Sequence, residues 1–148
     1  MLAWVLDRGQ RVLVISEALE QAVSRLTGTP ITRAPFGVDT VQFHPRRAAC
    51  PYFEAGTLVI GTIKSLEPVY RISVLLDAFR EVVRSRPTKA LGLLICGDGS
   101  LRRELEERCA HLGIAERVRF TGRLSPEHVP EHHAMIDVFA NLSASESY

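Results

Sequence analysis

At 148 residues, 46% hydrophobic and 24% charged, the chain has the composition of an ordinary soluble globular protein, and its length allows roughly 70% of the unfolded surface to be buried. The formal net charge is +1 and the basic pairs Arg46-Arg47 and Arg102-Arg103 are too short to make a patch, so no strong field favours nucleic acid or an acidic membrane. Cys50, Cys96 and Cys109 have neither paired nor metal-ligand spacing, which argues against a disulfide framework or zinc site and for reduced thiols in a cytosolic protein.

Residues 1–6 read as the tail of a helix. Their apolar run is broken at Asp7, too early for a signal-peptide core or a membrane span. Residues 11–15, RVLVI, read as a buried strand. Ser16 is a good N-cap, and Ala18, Leu19, Ala22, Val23 and Leu26 then share a helical face, with Gly28 as the expected stop. Residues 31–35 read as a short extended piece, completing a strand–helix–strand unit. Residues 37–56 contain Pro45 and Pro51 and show no clean period. They read as a linker and a domain boundary.

Alternation resumes at residues 58–63, LVIGTI, a strand. A loop with Pro68 follows. Ile72, Leu75, Leu76, Phe79, Val82 and Val83 then mark an amphipathic helix ending before Pro87. Residues 91–103, LGLLICGDGSLRR, are the centre of the pattern: a strand covered on both faces, a glycine turn, and a helix carrying Leu101, Leu105, Cys109 and Leu112. The N-terminus of that helix is expected to offer free backbone N–H groups where anions dock. The plain alternative is a tight connection with no ligand. The run lacks the third glycine of a dinucleotide fingerprint, and the chain has no P-loop. Residues 118–121 read as a third strand. Ser125-Pro126 opens a one-turn piece, a short helix follows with Pro130 in its first turn, and residues 136–140 read as a fourth strand. The order β-α-β-α-β-α-β from residue 58 predicts the first half of a doubly wound α/β domain.

Several blocks together resemble the retaining GT-B glycosyltransferases of the "glycosyl transferases group 1" family (family 4). They are Ser16-Glu17-Ala18 after RVLVI, PFGVD with Phe43-x-Pro45, IGTIKSLEP, ICGDGSLRREL, VRFTG, and Asp137-Val138-Phe139 through Ser143 and Glu146. The resemblance implies an α/β, GT-B-like fragment. Residues 1–36 would end an acceptor-side Rossmann-like domain, 37–56 would link, and 57–148 would begin the donor-side, nucleotide-sugar-binding domain. It also implies transfer of a hexosyl group from a UDP- or GDP-linked sugar to a glycan, lipid-linked or small-molecule acceptor with retained configuration. No metal is required if cations and backbone N–H groups stabilise the departing diphosphate. The alternative is a truncated or degenerate, non-catalytic nucleotide-binding module.

Carried over by position, the resemblance places donor-phosphate contacts at Lys64 or Ser65 and at the Gly97–Gly99 turn. Thr121, Gly122 and Arg123 would lie at the nucleotide base, and Glu146 would be the catalytic glutamate that contacts the donor sugar. The second glutamate of that signature would fall eight positions on, beyond Tyr148. The segment resembling LEPKYGID is Leu66-Glu67-Pro68-Val69-Tyr70-Arg71-Ile72-Ser73. Val69 stands where a lysine is expected and Arg71 where a glycine is. Arg71 either restores the missing cation or faces solvent at a helix start. Polysaccharide or lipid-linked glycan synthesis in the cytoplasm, at the inner face of a membrane, is the implied setting, with peripheral membrane contact through a part upstream of Met1.

The remaining polar residues have plainer readings. His128, His132 and His133 have helical metal-ligand spacing, but no cysteine pair or carboxylate completes a site. Asp98 reads as a turn-maker, and Tyr70 as a donor-site or packing residue. Trp4 reads as core or interdomain packing. The chain alone, ending at a ligand-facing strand end, is expected to expose sheet edges and self-associate.

Overall fold

The computed structural model describes residues 1–145, which form two compact units, Met1–Val41 and Gln42–Ser145. In the first, α1 (Leu2–Leu6), β1 (Val12–Val14), α2 (Glu17–Ser24) and β2 (Ile31–Arg33) follow in order. β1 and β2 pair in parallel, Val12 opposite Ile31. The Ser16 hydroxyl accepts the Leu19 N–H at 3.3 Å, so the expected N-cap is present. The helix stops at Ser24, short of Gly28, and the Leu26 N–H donates to the Val23 carbonyl at 2.8 Å to close its last turn. β1 is not the buried strand expected. Val14 is buried, but Leu13 is 67% exposed, so within this unit of two strands and two short helices the sheet is covered at Val14 and open at Leu13.

The second unit contains β3 (Leu58–Ile63), α3 (Ile72–Ser85), β4 (Leu91–Cys96), α4 (Arg102–His111), β5 (Val118–Gly122), α5 (Val129–Ala134) and β6 (Val138–Phe139). All four strands are parallel, in the order β5-β4-β3-β6. β4 is buried along its whole length, and its residues alternate between two cores. Leu93 and Ile95 pack with Leu66, Leu76, Phe79 and Leu105 beneath α3 and α4. Leu94 and Cys96 pack on the other face with Val59, Met135, Tyr52 and Phe53. A strand buried on both faces explains the uninterrupted apolar run.

That second face corrects the linker expectation. Residues 42–56 form no regular element, yet they belong to this unit and cover its sheet. A Cβ on Gly92 would lie 2.8 Å from the Phe53 ring. The Ala48 N–H donates to the Ala134 carbonyl at 2.9 Å, and the Tyr52 hydroxyl lies 3.1 Å from His132 Nε2. Composition marked the segment as irregular; Tyr52 and Phe53, partly buried, pack it against the sheet.

The turn at Pro126–His128 and the placement of Pro130 in the first turn of α5 follow the sequence expectation. The fourth strand is shorter than expected. Ile136 turns toward Gly61, where a Cβ would meet its side chain at 2.6 Å, and only Val138 and Phe139 remain in the ladder. Among the described residues no helix is long and apolar enough to cross a membrane.

Candidate functional site

Successive crossovers run from β3 to β4 to β5 in one direction, and β6 then joins the opposite side of β3. In doubly wound sheets such a reversal marks the place where a ligand crevice lies, here the carboxyl ends of β3 and its neighbour β6. The residues bordering it are set by the loops after β3, β4 and β5.

The β3 and β4 loops do not diverge. Their ladder continues past the strands, with the Lys64 N–H on the Cys96 carbonyl and the Leu66 N–H on the Asp98 carbonyl, both at 3.0 Å. Gly97, at φ +149°, has no room for a side chain: a Cβ would lie 1.9 Å from the Lys64 carbonyl oxygen. A Cβ on Gly99 would meet the Leu66 carbonyl oxygen at 2.6 Å and Glu67 Oε1 at 2.7 Å. Both glycines allow one loop to lie against the other.

This contact occupies the N–H groups of the turn itself, from Gly97 to Arg102 apart from Asp98. The Gly97 N–H donates to the Gly122 carbonyl at 2.8 Å and the Gly99 N–H to Asp98 Oδ1 at 2.8 Å. The Leu101 N–H reaches the Leu66 carbonyl at 3.0 Å, and the Arg102 N–H the Gly99 carbonyl at 3.2 Å. Ser100 donates twice to Glu67, from its N–H to Oε1 at 2.9 Å and from its hydroxyl to Oε2 at 2.7 Å. Those bonds hold the Glu67 carboxyl below its usual range. An anion does sit at the start of α4, and it is the chain's own.

The β3–α3 loop leaves by another route. Pro68–Tyr70 makes a 3-10 turn, and Arg71 then takes a left-handed conformation, φ 50° and ψ 38°. It is the sole non-glycine residue with positive φ among those described. The Arg71 carbonyl accepts the Val74 and Leu75 N–H groups and starts the fourteen-residue α3. Lys64 Nζ lies 5.4 Å from the Tyr70 ring centroid, a cation–π contact. The Ala144 N–H donates to the Val69 carbonyl at 2.8 Å, tying the segment after β6 to this loop.

On the far side, β5 bulges at Thr121. Ile95 pairs with Phe120 and Cys96 with Gly122, so Thr121 is skipped. The Thr121 hydroxyl donates to the Gly122 carbonyl at 3.0 Å. Arg123 then joins Ser65, Glu67, Asp98 and Gly99 around an open cleft of about 530 Å³. The structure thus brings Lys64, Ser65, Gly97, Gly99, Gly122 and Arg123 to one end of the sheet and places Arg71 at the start of α3. Glu146 lies outside the described residues.

The histidines part company. His128 Nδ1 meets the Ser125 hydroxyl at 2.7 Å, His132 is buried against Tyr52, and His133 stacks on Phe139 with centroids 4.8 Å apart. Asp137 also has a structural role. Its Oδ2 accepts the Val59 N–H and its own N–H donates to the Val59 carbonyl, each at 2.8 Å. Glu67 is the site residue that sequence reasoning passed over. Its partner lies 33 positions away, and no local pattern signals a contact at that distance.

The profile of the family described as "Glycosyl transferases group 1" matches residues 53–148. The GDP-mannose-dependent alpha-(1-6)-phosphatidylinositol monomannoside mannosyltransferase of Mycolicibacterium smegmatis is 35% identical over 111 residues, 72% of this chain and 28% of that protein. The D-inositol 3-phosphate glycosyltransferase of Nocardia farcinica is 32% identical over 123 residues, 77% of this chain and 27% of that protein. The chain therefore spans little more than a quarter of these relatives' lengths. Among solved structures, the sucrose-phosphate synthase of Thermosynechococcus elongatus superposes with TM-score 0.78 over 99% of this chain and 38% of its own, at 17% identity. Anabaena HepE with UDP and glucose gives TM-score 0.74 over 97% and 41%, at 19% identity. With its parallel Rossmann-like sheet and a profile match over more than half its length, the chain belongs to the glycosyl transferases group 1 family.

Proposed function

We propose that the protein containing this chain transfers a hexosyl group from a UDP- or GDP-linked sugar to a glycan, lipid-linked or small-molecule acceptor, with retention of configuration. The observation that carries this reading is the strand order β5-β4-β3-β6, whose reversal at β3 lies at the strand end from which the loop bearing Lys64 and Arg71 leads into α3. Breaking the bond from the sugar's anomeric carbon to a nucleoside diphosphate builds negative charge on the leaving oxygen. The Lys64 ammonium, the Arg71 guanidinium and the first N–H groups of α3 would oppose that charge without a metal. Arg123 borders the neighbouring cleft; with Thr121 and Gly122 before it, it would meet the base, and Glu146 would contact the sugar.

In this reading residues 1–36 belong to the acceptor side and the unit from residue 57 to the donor side, in a cytoplasmic enzyme working at the inner face of a membrane. The mannosyltransferase relative is named as GDP-mannose-dependent, which makes GDP-mannose the first donor to test. A second reading, nucleotide binding without transfer, is favoured by Val69, an apolar residue 39% exposed where the family pattern has lysine.

Calorimetric titration of the protein with UDP, GDP, UDP-glucose and GDP-mannose tests both. Saturable binding of one nucleotide-sugar, followed by an NMR-detected product with the donor's anomeric configuration, supports transfer. Binding without product supports the second reading. Absence of binding by all four overturns both.

A further inference from the structure

We infer that Glu67 is a positioning residue for the donor: by clasping Ser100 it fixes the β3–α3 loop and turns an anionic ligand away from α4 toward the Lys64–Arg71 side of the crevice. The inference rests on the donor site proposed above. The loop's attachment to the core does not need this contact, because Leu66 beside it is fully buried and exchanges backbone hydrogen bonds with Asp98 and Leu101. Glu67 adds something else. Both of its carboxylate oxygens are engaged by one residue, at 2.9 and 2.7 Å. Gly99 leaves the space for that approach, since a Cβ there would stand 2.7 Å from Glu67 Oε1.

Two consequences follow for an anion. Ser100 lies just ahead of Leu101, the N-cap of the ten-residue α4, and its N–H would help attract phosphate there if it were open; the internal carboxylate occupies that N–H and repels a second negative charge. The same carboxylate anchors the loop midway between Lys64, three residues before it, and Arg71, four residues after it. Both cations are thereby carried on the one loop that the carboxylate holds. Of the other charged groups lining the cleft, Asp98 adds negative charge beside Glu67 and Arg123 lies on the β5 side.

The test compares wild type, Glu67→Gln and Glu67→Ala, following the Ser100 backbone amide by NMR during titrations with acid, inorganic phosphate and nucleotide-sugar. In wild type the Ser100 amide shift should follow acid titration of a carboxyl, lose that response in Glu67→Gln while Asp98 is unchanged, and ignore phosphate. In Glu67→Ala the Ser100 amide should respond to phosphate, and the donor Kd should rise about tenfold as the loop bearing the cations is no longer held in place. The melting temperature should stay within about 3 °C, as for other surface changes. Glu67→Gln, which keeps acceptor oxygen but no charge, should fall between. Unchanged donor affinity in Glu67→Ala, or a phosphate response of Ser100 in wild type, overturns the inference. Failure of wild type to bind any donor removes the positioning role together with the donor site, whereas an intact Ser100 acid response would show that the clasp itself exists.

Discussion

Gly97 and Lys64 approach so closely that a Cβ on Gly97 would lie 1.9 Å from the Lys64 carbonyl oxygen. The atom met is backbone inside a hydrogen-bonded ladder and cannot swing aside. Gly97→Ala should therefore cost more than about 3 kcal/mol, combining the clash with a strained φ. Gly113 is the contrast: it has φ +68° but nothing within 4 Å, so Gly113→Ala should cost about 1–2 kcal/mol. Urea denaturation of the two variants measures the difference, and equal costs would show that the loops separate without penalty.

Arg71 occupies the left-handed conformation that glycine accepts freely. Arg71→Gly relieves that strain and loosens the unfolded chain, so stability should rise by about 0.5–1 kcal/mol. If the guanidinium holds donor diphosphate, the same variant should bind nucleotide-sugar several-fold more weakly. A gain in stability with unchanged affinity would leave Arg71 as a surface residue at a helix start.

Asp137 and Arg47 form an ion pair at 2.7 Å, but the partners are unequal: the Arg47 side chain is 77% exposed and that of Asp137 only 20%. Asp137 also satisfies the Val59 N–H. Asp137→Ala should cost about 1–3 kcal/mol by leaving that donor unpaired. Arg47→Ala should cost no more than about 1 kcal/mol. Thermal denaturation of the pair separates the two contributions.

Tyr52 holds the irregular 42–56 segment to α5 through His132. His132 Nδ1 faces the His128 carbonyl at 2.9 Å, so Nδ1 carries the proton and Nε2 accepts from the Tyr52 hydroxyl. Tyr52→Phe removes that donor from a buried ring and should destabilise by about 1–2 kcal/mol. Hydrogen exchange should quicken at the Ala48 N–H, which pairs with Ala134. Unchanged exchange there would mean the segment is held by its apolar contacts alone.

Burial pushes the Cys96 and Cys109 thiols up from 9.0 to about 11. A raised folded value favours the protonated thiol, so this stabilisation is complete below pH 9 and lost as pH rises toward 11. Denaturation midpoints should fall across that interval. Under native conditions at pH 8, iodoacetamide should label Cys50, which is partly exposed, well before Cys96 or Cys109. Rapid labelling of all three would show the sheet opening locally.

Much of the second unit was readable from local pattern. β3 spans residues 58–63 as expected, α3 ends before Pro87, and the short helix places Pro130 in its first turn. The alternation of elements implied a doubly wound fold, and the parallel β5-β4-β3-β6 sheet has that form. The errors lie where side chains from distant segments decide the outcome. Ile136 left the strand register because Gly61 offers it space, and residues 42–56 joined this unit because Ala48, Cys50, Tyr52 and Phe53 pack, partly buried, on a sheet face. Neither follows from periodicity, which reports only neighbours three or four positions apart on a helix or two on a strand.

The candidate site divides in the same way. The sequence pattern placed Lys64 and Ser65 after β3, Gly97 and Gly99 after β4 and Arg123 after β5, and the structure has them at those strand ends. It also located Arg71 where a glycine was expected, and backbone geometry supplies the reason, a left-handed φ of 50°. Only the tertiary structure decided what the glycine turn does. Gly97 and Gly99 lie against Lys64, Leu66 and Glu67, and Ser100, just ahead of α4, is held by a carboxylate from the β3–α3 loop. A short-range motif can announce a turn and a helix start, but which charge reaches that helix depends on how two loops 33 residues apart are brought together by the sheet between them.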